Sequence, residues 1–163
     1  MENGTLEIPP GLITALQNAS DILVLTGAGM SAESGVPTFR DAQTGLWAKY
    51  SAEELATPEA FRNNPQMVWD WYAQRRDNIR SVIPHAGHEA LVAMEQHFDS
   101  FLLVTQNVDS LHQRAGSSDV VELHGNIMQS ICSETGKTID DDWLAAQTGR
   151  PPPSPHHPSG LAR

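Results

Sequence analysis

Cysteine is almost absent from this chain: Cys132 is the single one among 163 residues. No internal disulfide can form, and a reducing, cytoplasmic setting is the expectation. Basic residues are scarce as well. Ten Lys and Arg stand against 20 Asp and Glu, a net charge of -10, and such a surface repels phosphate backbones and anionic lipids. Nucleic acid is therefore not expected as a primary ligand. Long hydrophobic runs are also missing. The densest, Ile22–Leu25 with its flanks, falls far short of the roughly 18 residues that span a bilayer, so no membrane partner is expected. Met1–Pro10 holds two glutamates and no Lys or Arg, unlike the basic start and apolar stretch of a secretory signal. What is present is an ordinary globular composition, 39 % hydrophobic with 12 glycines, at a length that fits one domain of roughly 100–200 residues.

The apolar pattern predicts an α/β organisation. A first helix is expected from Leu12 to about Ala19, after Pro9 and Pro10. Asp21–Thr26 reads as a short strand apolar on both faces, of the kind found inside a parallel sheet, and Gly27-Ala28-Gly29 ends it. Phe101–Thr105 and Val120–Leu123 read as further strands. The first of these ends in Gln106-Asn107-Val108-Asp109 and the second at His124-Gly125. Val68, Trp71, Tyr72, Ile79 and Val82 recur at helical steps between Pro65 and Ile83, and a further helix is expected from His88 to about His97. Strands alternating with helices, with polar clusters at the strand ends, predict an open sheet whose ligand crevice lies at those ends. After Cys132 the chain becomes polar. Arg150–Gly160 is rich in Pro and His and is expected to be extended or poorly ordered.

Gly27-Ala28-Gly29-Met30-Ser31-Ala32 fits the G-x-G-x-x-[GA] pattern behind a predicted strand, where glycines let the backbone approach a pyrophosphate. The acidic ribose partner usual about 20 residues later is missing. Arg40, in Pro37-Thr38-Phe39-Arg40-Asp41, could offer its planar fork to an anion or pair with Asp41. Gln106, Asn107 and Asp109 crowd one strand end, and His124, at the next, is a candidate general base toward a ribose hydroxyl.

These residues carry a resemblance. Thr26 to Arg40, Thr105 to His112 and Glu122 to Asn126 resemble the three signature blocks of sirtuins, NAD-dependent protein-lysine deacylases, of the class III-like bacterial type. The family implies a Rossmann-like parallel sheet with a small inserted zinc-ribbon module. It also implies a reaction in which the acyl-lysine amide oxygen displaces nicotinamide from NAD. By motif, Gly27, Ala28, Gly29 and Ser31 would serve the cofactor's pyrophosphate side, and Phe39 and Arg40 would sit over the reacting ribose. Gln106 and Asn107 would contact the ribose, Asp109 the nicotinamide carboxamide, and His124 would be the base. Tyr72 and Arg75, three apart on one helix face, resemble the Tyr-x-x-Arg of the subclass that removes succinyl and malonyl groups. Ala56 matches that subclass's small residue. The implied substrates are acyl-lysine proteins or peptides, with acetyl groups also accepted.

Two departures stand beside the resemblance. Of the four zinc ligands expected, only Cys132 is in place; Thr135, Ser154 and His157 occupy the other positions, so no structural zinc is predicted. The family's later Val-Val-Trp-Phe-Gly-Glu and Gly-Thr-Ser blocks do not occur, so the chain reads as C-terminally truncated. The expected division is residues 1–126 as the Rossmann-like NAD-binding part and 127–163 as the remnant of the small module, with the remaining strands absent. The competing expectation is an inactive fragment, or a non-catalytic module that binds NAD or ADP-ribose.

Overall fold

The computed structural model describes residues 7–37, 50–51 and 54–163. Three parallel strands, β1 (Asp21–Thr26), β2 (Ser100–Thr105) and β3 (Val120–Glu122), form a sheet in the order β1-β2-β3. The register sets Thr26 beside Thr105 and Thr105 beside Glu122, so all three strands end at one level. Seven helices are described: α1 (Pro10–Gln17), α2 (Ala28–Ala32), α3 (Pro58–Asn63), α4 (Pro65–Ser81), α5 (Ala86–His97), α6 (Leu111–Ala115) and α7 (Asp141–Ala145). The parallel sheet with its helical crossovers is Rossmann-like, as expected. None of these helices is long and apolar enough to cross a membrane.

Local chemistry explains where the elements begin and end. The Thr57 hydroxyl caps α3 by accepting from Ala60 N–H at 3.1 Å, and Pro58 follows at the first helical position. Asn64 caps α4 in the same way. Arg114 on α6 reaches the carbonyls of Ile79 and Val82 and ties off the C-terminal end of α4. The sequence signals found α4 and α5 to within a few residues. They gave no warning of α3, α6 or α7, which are five or six residues long and too short to show a period.

Two expectations need correction. β1 is not apolar-buried on both faces. It lies at the sheet edge, and Leu23 and Leu25 are 62 % and 72 % exposed. Alternation puts these leucines on one face with Leu102, Val104 and Val121, and all of these but Val104 are exposed. The Pro-rich stretch is extended but well packed. Pro152 is fully buried, Pro153 bridges Leu161 and Cys132 bridges Ala162. Prolines and isolated bridges coexist because Pro152 lends its carbonyl to Ala162 N–H at 2.9 Å and a proline needs no amide partner. Cys132, Ile139 and Ala162 form a small core against Trp69 of α4, Trp143 and Leu144. A second core joins Ala60, Phe61 and Val68 to Leu161.

Candidate functional site

The common level of the strand ends brings three loops together. Gln106 N–H donates to the Thr26 carbonyl at 3.0 Å, and Leu123 N–H to the Thr105 carbonyl at 2.9 Å, so the glycine turn, the amide-rich corner and His124 emerge side by side. They open onto a cavity of about 750 Å³, within the roughly 300–1,000 Å³ usual for ligand pockets. Ala28, Ser31, Gln106, Asn107, Asp109 and His124 line it from the sheet side; Ala56, Tyr72 and Arg75 line it from the α3–α4 side. Gly27 and Gly29 flank it in the turn. Phe39 and Arg40 lie outside the described residues.

Asn107 is buried and holds the turn. Its amide nitrogen donates to the Gly27 carbonyl at 2.9 Å and to the Ser31 hydroxyl at 3.0 Å. Asp109 is buried as well, and its Oδ1 accepts from Leu111 N–H at 3.0 Å, which starts α6. Ser110, between them and the helix, has φ of 60°, a conformation uncommon outside glycine that pivots the chain at the pocket edge. The loop bearing the exposed His124 is anchored by Asn126, whose amide donates to the Ser110 hydroxyl and to Glu122 Oε1. On α4, Trp71 and Tyr72 pack edge to face at 4.7 Å, and the Arg75 guanidinium lies 4.8 Å from the Trp71 ring centre. Burial raises the Tyr72 pKa, opposed by the charges of Arg75 and Arg76. Burial also lowers the pKa of Arg75, which nevertheless keeps its charge.

Behind the turn lies a cluster that sequence reasoning did not single out. His85 holds the Met30 carbonyl at 2.6 Å and accepts from Gly87 N–H at 2.9 Å, which makes Nε2 the donor. The His85–His88 and His88–His112 ring centres are 4.4 and 4.9 Å apart. His112 Nε2 meets the Thr26 hydroxyl at 2.9 Å. That hydroxyl donates to Thr105 Oγ1, which also accepts from Asn107 N–H. Desolvation holds the His88 imidazole at about 4, helped by the nearby His112 and His85 and opposed by Asp109. It also lowers His112, again against Asp109. The missed signal was the spacing of His85 and His88 at the start of a helix, where the first caps the turn that holds the second.

The donors at the expected zinc positions do not fit a metal. Burial pushes the Cys132 thiol up, but hydrogen bonds from the Ser154 and Thr135 hydroxyls and from backbone N–H groups outweigh it and bring the pKa to about 6. His157 Nδ1 lies 3.1 Å from the Ser159 hydroxyl. Two neutral hydroxyls are poor zinc ligands, and no cluster of three or more His, Cys, Asp or Glu suited to a metal occurs among the described residues.

Comparison with known proteins matches this arrangement to one family. The sequence pattern of the Sir2 family fits residues 27–157. The chain is 58 % identical over 116 residues to an NAD-dependent protein deacylase of Aquifex aeolicus, covering 71 % of this chain and 48 % of that protein. It is 52 % identical over 138 residues to one of Ralstonia nicotianae, covering 84 % and 54 %. Among solved structures, a Sir2 homologue in complex with NAD superposes with a TM-score of 0.81 at 38 % identity, over 96 % of this chain and 60 % of that one. The chain thus spans about half the length of the curated relatives it matches.

Proposed function

The chain belongs to the Sir2 family, and from that premise we propose that it serves NAD-dependent removal of acyl groups from protein lysines, with succinyl and malonyl preferred and acetyl accepted. The observation that carries this reading is the convergence of the glycine turn, the Gln106–Asp109 corner, His124 and the Tyr72–Arg75 pair on one cavity. NAD supplies the ADP-ribosyl group that takes up the acyl chain as nicotinamide leaves. Gly27, Ala28 and Gly29 bring backbone close to the pyrophosphate, with Ser31 beneath them. Phe39 and Arg40 are assigned to the reacting ribose. Gln106 and Asn107 face the ribose, and Asp109 faces the nicotinamide carboxamide. His124 takes a proton from a ribose hydroxyl.

The acyl preference rests on α4. Ala56 leaves room for a longer acyl chain, while the Tyr72 hydroxyl and the Arg75 fork hold its distal carboxylate. A cytoplasmic setting suits the buried free thiol of Cys132. The test is nicotinamide release from NAD with succinyl-lysine and acetyl-lysine peptides. Turnover that prefers the succinyl peptide and is lost in His124→Ala supports the reading; turnover unchanged in His124→Ala sinks it.

A second reading is a module that binds NAD or ADP-ribose without turnover, or a fragment with neither property. The uncovered leucine face of the sheet favours it. Calorimetric titration with NAD separates the two: binding without nicotinamide release identifies the module, and no heat identifies the fragment.

A further inference from the structure

Arg76, the neighbour of Arg75, has no part in the reading above, yet it lines the same cavity and is 8 % exposed. Trp69, Tyr72 and Arg76 stand at i, i+3 and i+7 of α4 and so share a face. The Arg76 guanidinium lies 4.7 Å from the Trp69 ring centre, a cation–π stack. Among the described residues no hydrogen bond or ion pair engages it; Asp77 and Asp141 act on it only through space. Leaving a guanidinium buried without a hydrogen-bonded anion is costly. Asp109 is the one side-chain carboxylate among the described residues that line the cavity, and no hydrogen bond or ion pair joins it to Arg76; its Oδ1 accepts from Leu111 N–H. Tyr72 stands three residues before Arg75 and four before Arg76 on α4 and lines the cavity with both.

We propose that Arg76 is a specificity-determining residue, a second guanidinium that binds the distal carboxylate of the acyl group together with Tyr72 and Arg75. Its planar fork takes the carboxylate at its edge while its face stays on the Trp69 indole. The carboxylate replaces the anion that the empty fork lacks. A neutral acetyl group gains nothing from it. This inference rests on the proposed acyl-lysine function and adds a residue to its recognition site.

The experiment compares the 163-residue chain with Arg76→Met, Arg76→Lys and Arg75→Met. Calorimetry reads the affinity of each for two peptides that differ only in a succinyl or an acetyl group on lysine, and for NAD. Arg76→Met is expected to weaken succinyl-peptide binding at least tenfold while acetyl-peptide and NAD binding stay within twofold. Arg76→Lys, which keeps charge and packing but not the fork, is expected to lose about threefold on the succinyl peptide, so a misfolded methionine variant does not leave the inference without a test. Equal losses on both peptides, or an unchanged preference in Arg76→Lys, overturn it. If Arg75→Met abolishes the succinyl preference and Arg76→Met does not, this inference fails while the proposed function stands. If the unsubstituted chain shows no succinyl preference, the acyl reading fails and takes this inference with it.

Discussion

Asn107 shows how one side chain can hold a loop in readiness for a ligand. Its amide donates to the Gly27 carbonyl and the Ser31 hydroxyl, so the glycine turn is set before anything binds. Asn107→Ala removes both hydrogen bonds, the one to the buried Ser31 hydroxyl included, and is expected to cost about 1–3 kcal/mol, read as a lower urea midpoint, with NAD affinity falling as the turn loosens. The histidines behind the turn predict a pH dependence. His88 is fully buried and its pKa drops from 6.5 to about 4 on folding. Between those values the unfolded chain takes up a proton that the folded chain refuses. The stabilisation from neutral His88 is therefore complete above about pH 6.5 and is lost as pH falls toward 4. The melting temperature is expected to fall between pH 7.5 and 5, and His88→Asn should flatten that fall.

Among the elements, α3 and the segment after Cys132 depend most on local contacts. α3 has six residues and no propensity to spare, so its cap matters. Thr57→Ala is expected to cost about 1 kcal/mol, measured by chemical denaturation, and to loosen the Ala56 wall of the cavity. The segment after Cys132 is closed by hydrogen bonds and packing. Ile131 and Arg163 exchange backbone bonds at 2.9 Å, Leu161 N–H donates to the Ser133 hydroxyl, and Trp69 and Trp143 cover Cys132, Ile139 and Ala162. Chelator treatment is expected to shift the melting temperature by less than about 1 °C, whereas a domain folded around zinc would collapse.

For the molecule as a whole, the leading feature is the uncovered sheet face. Leu23, Leu25, Leu102 and Val121 are exposed on parallel strands in register, and among the described residues no strand pairs with the outer edge of β1. Contiguous apolar surface with an open edge promotes association. The isolated chain is expected to self-associate in light scattering, and Leu25→Lys, which places a charge on that face, should reduce the effect while leaving the cavity's ligand affinities unchanged.

The strands and long helices were legible in the sequence because each owes its form to its own residues: apolar runs at the right length, proline at helix starts, glycine at the end of β1. The Gly27–Ser31 turn, the Gln106–Asp109 corner and His124 could be read as candidates because their motifs follow strands directly. Only the tertiary structure decided that these segments, with Tyr72 and Arg75, share one cavity, since that follows from a register between strands 79 residues apart in the chain. It alone decided that β1 bears an open face, because burial depends on what covers a strand. Arg76 and the histidine cluster emerged only there, because an unpaired guanidinium or a desolvated imidazole is defined by its surroundings; the order of residues marks at most the His85–His88 spacing at a helix start.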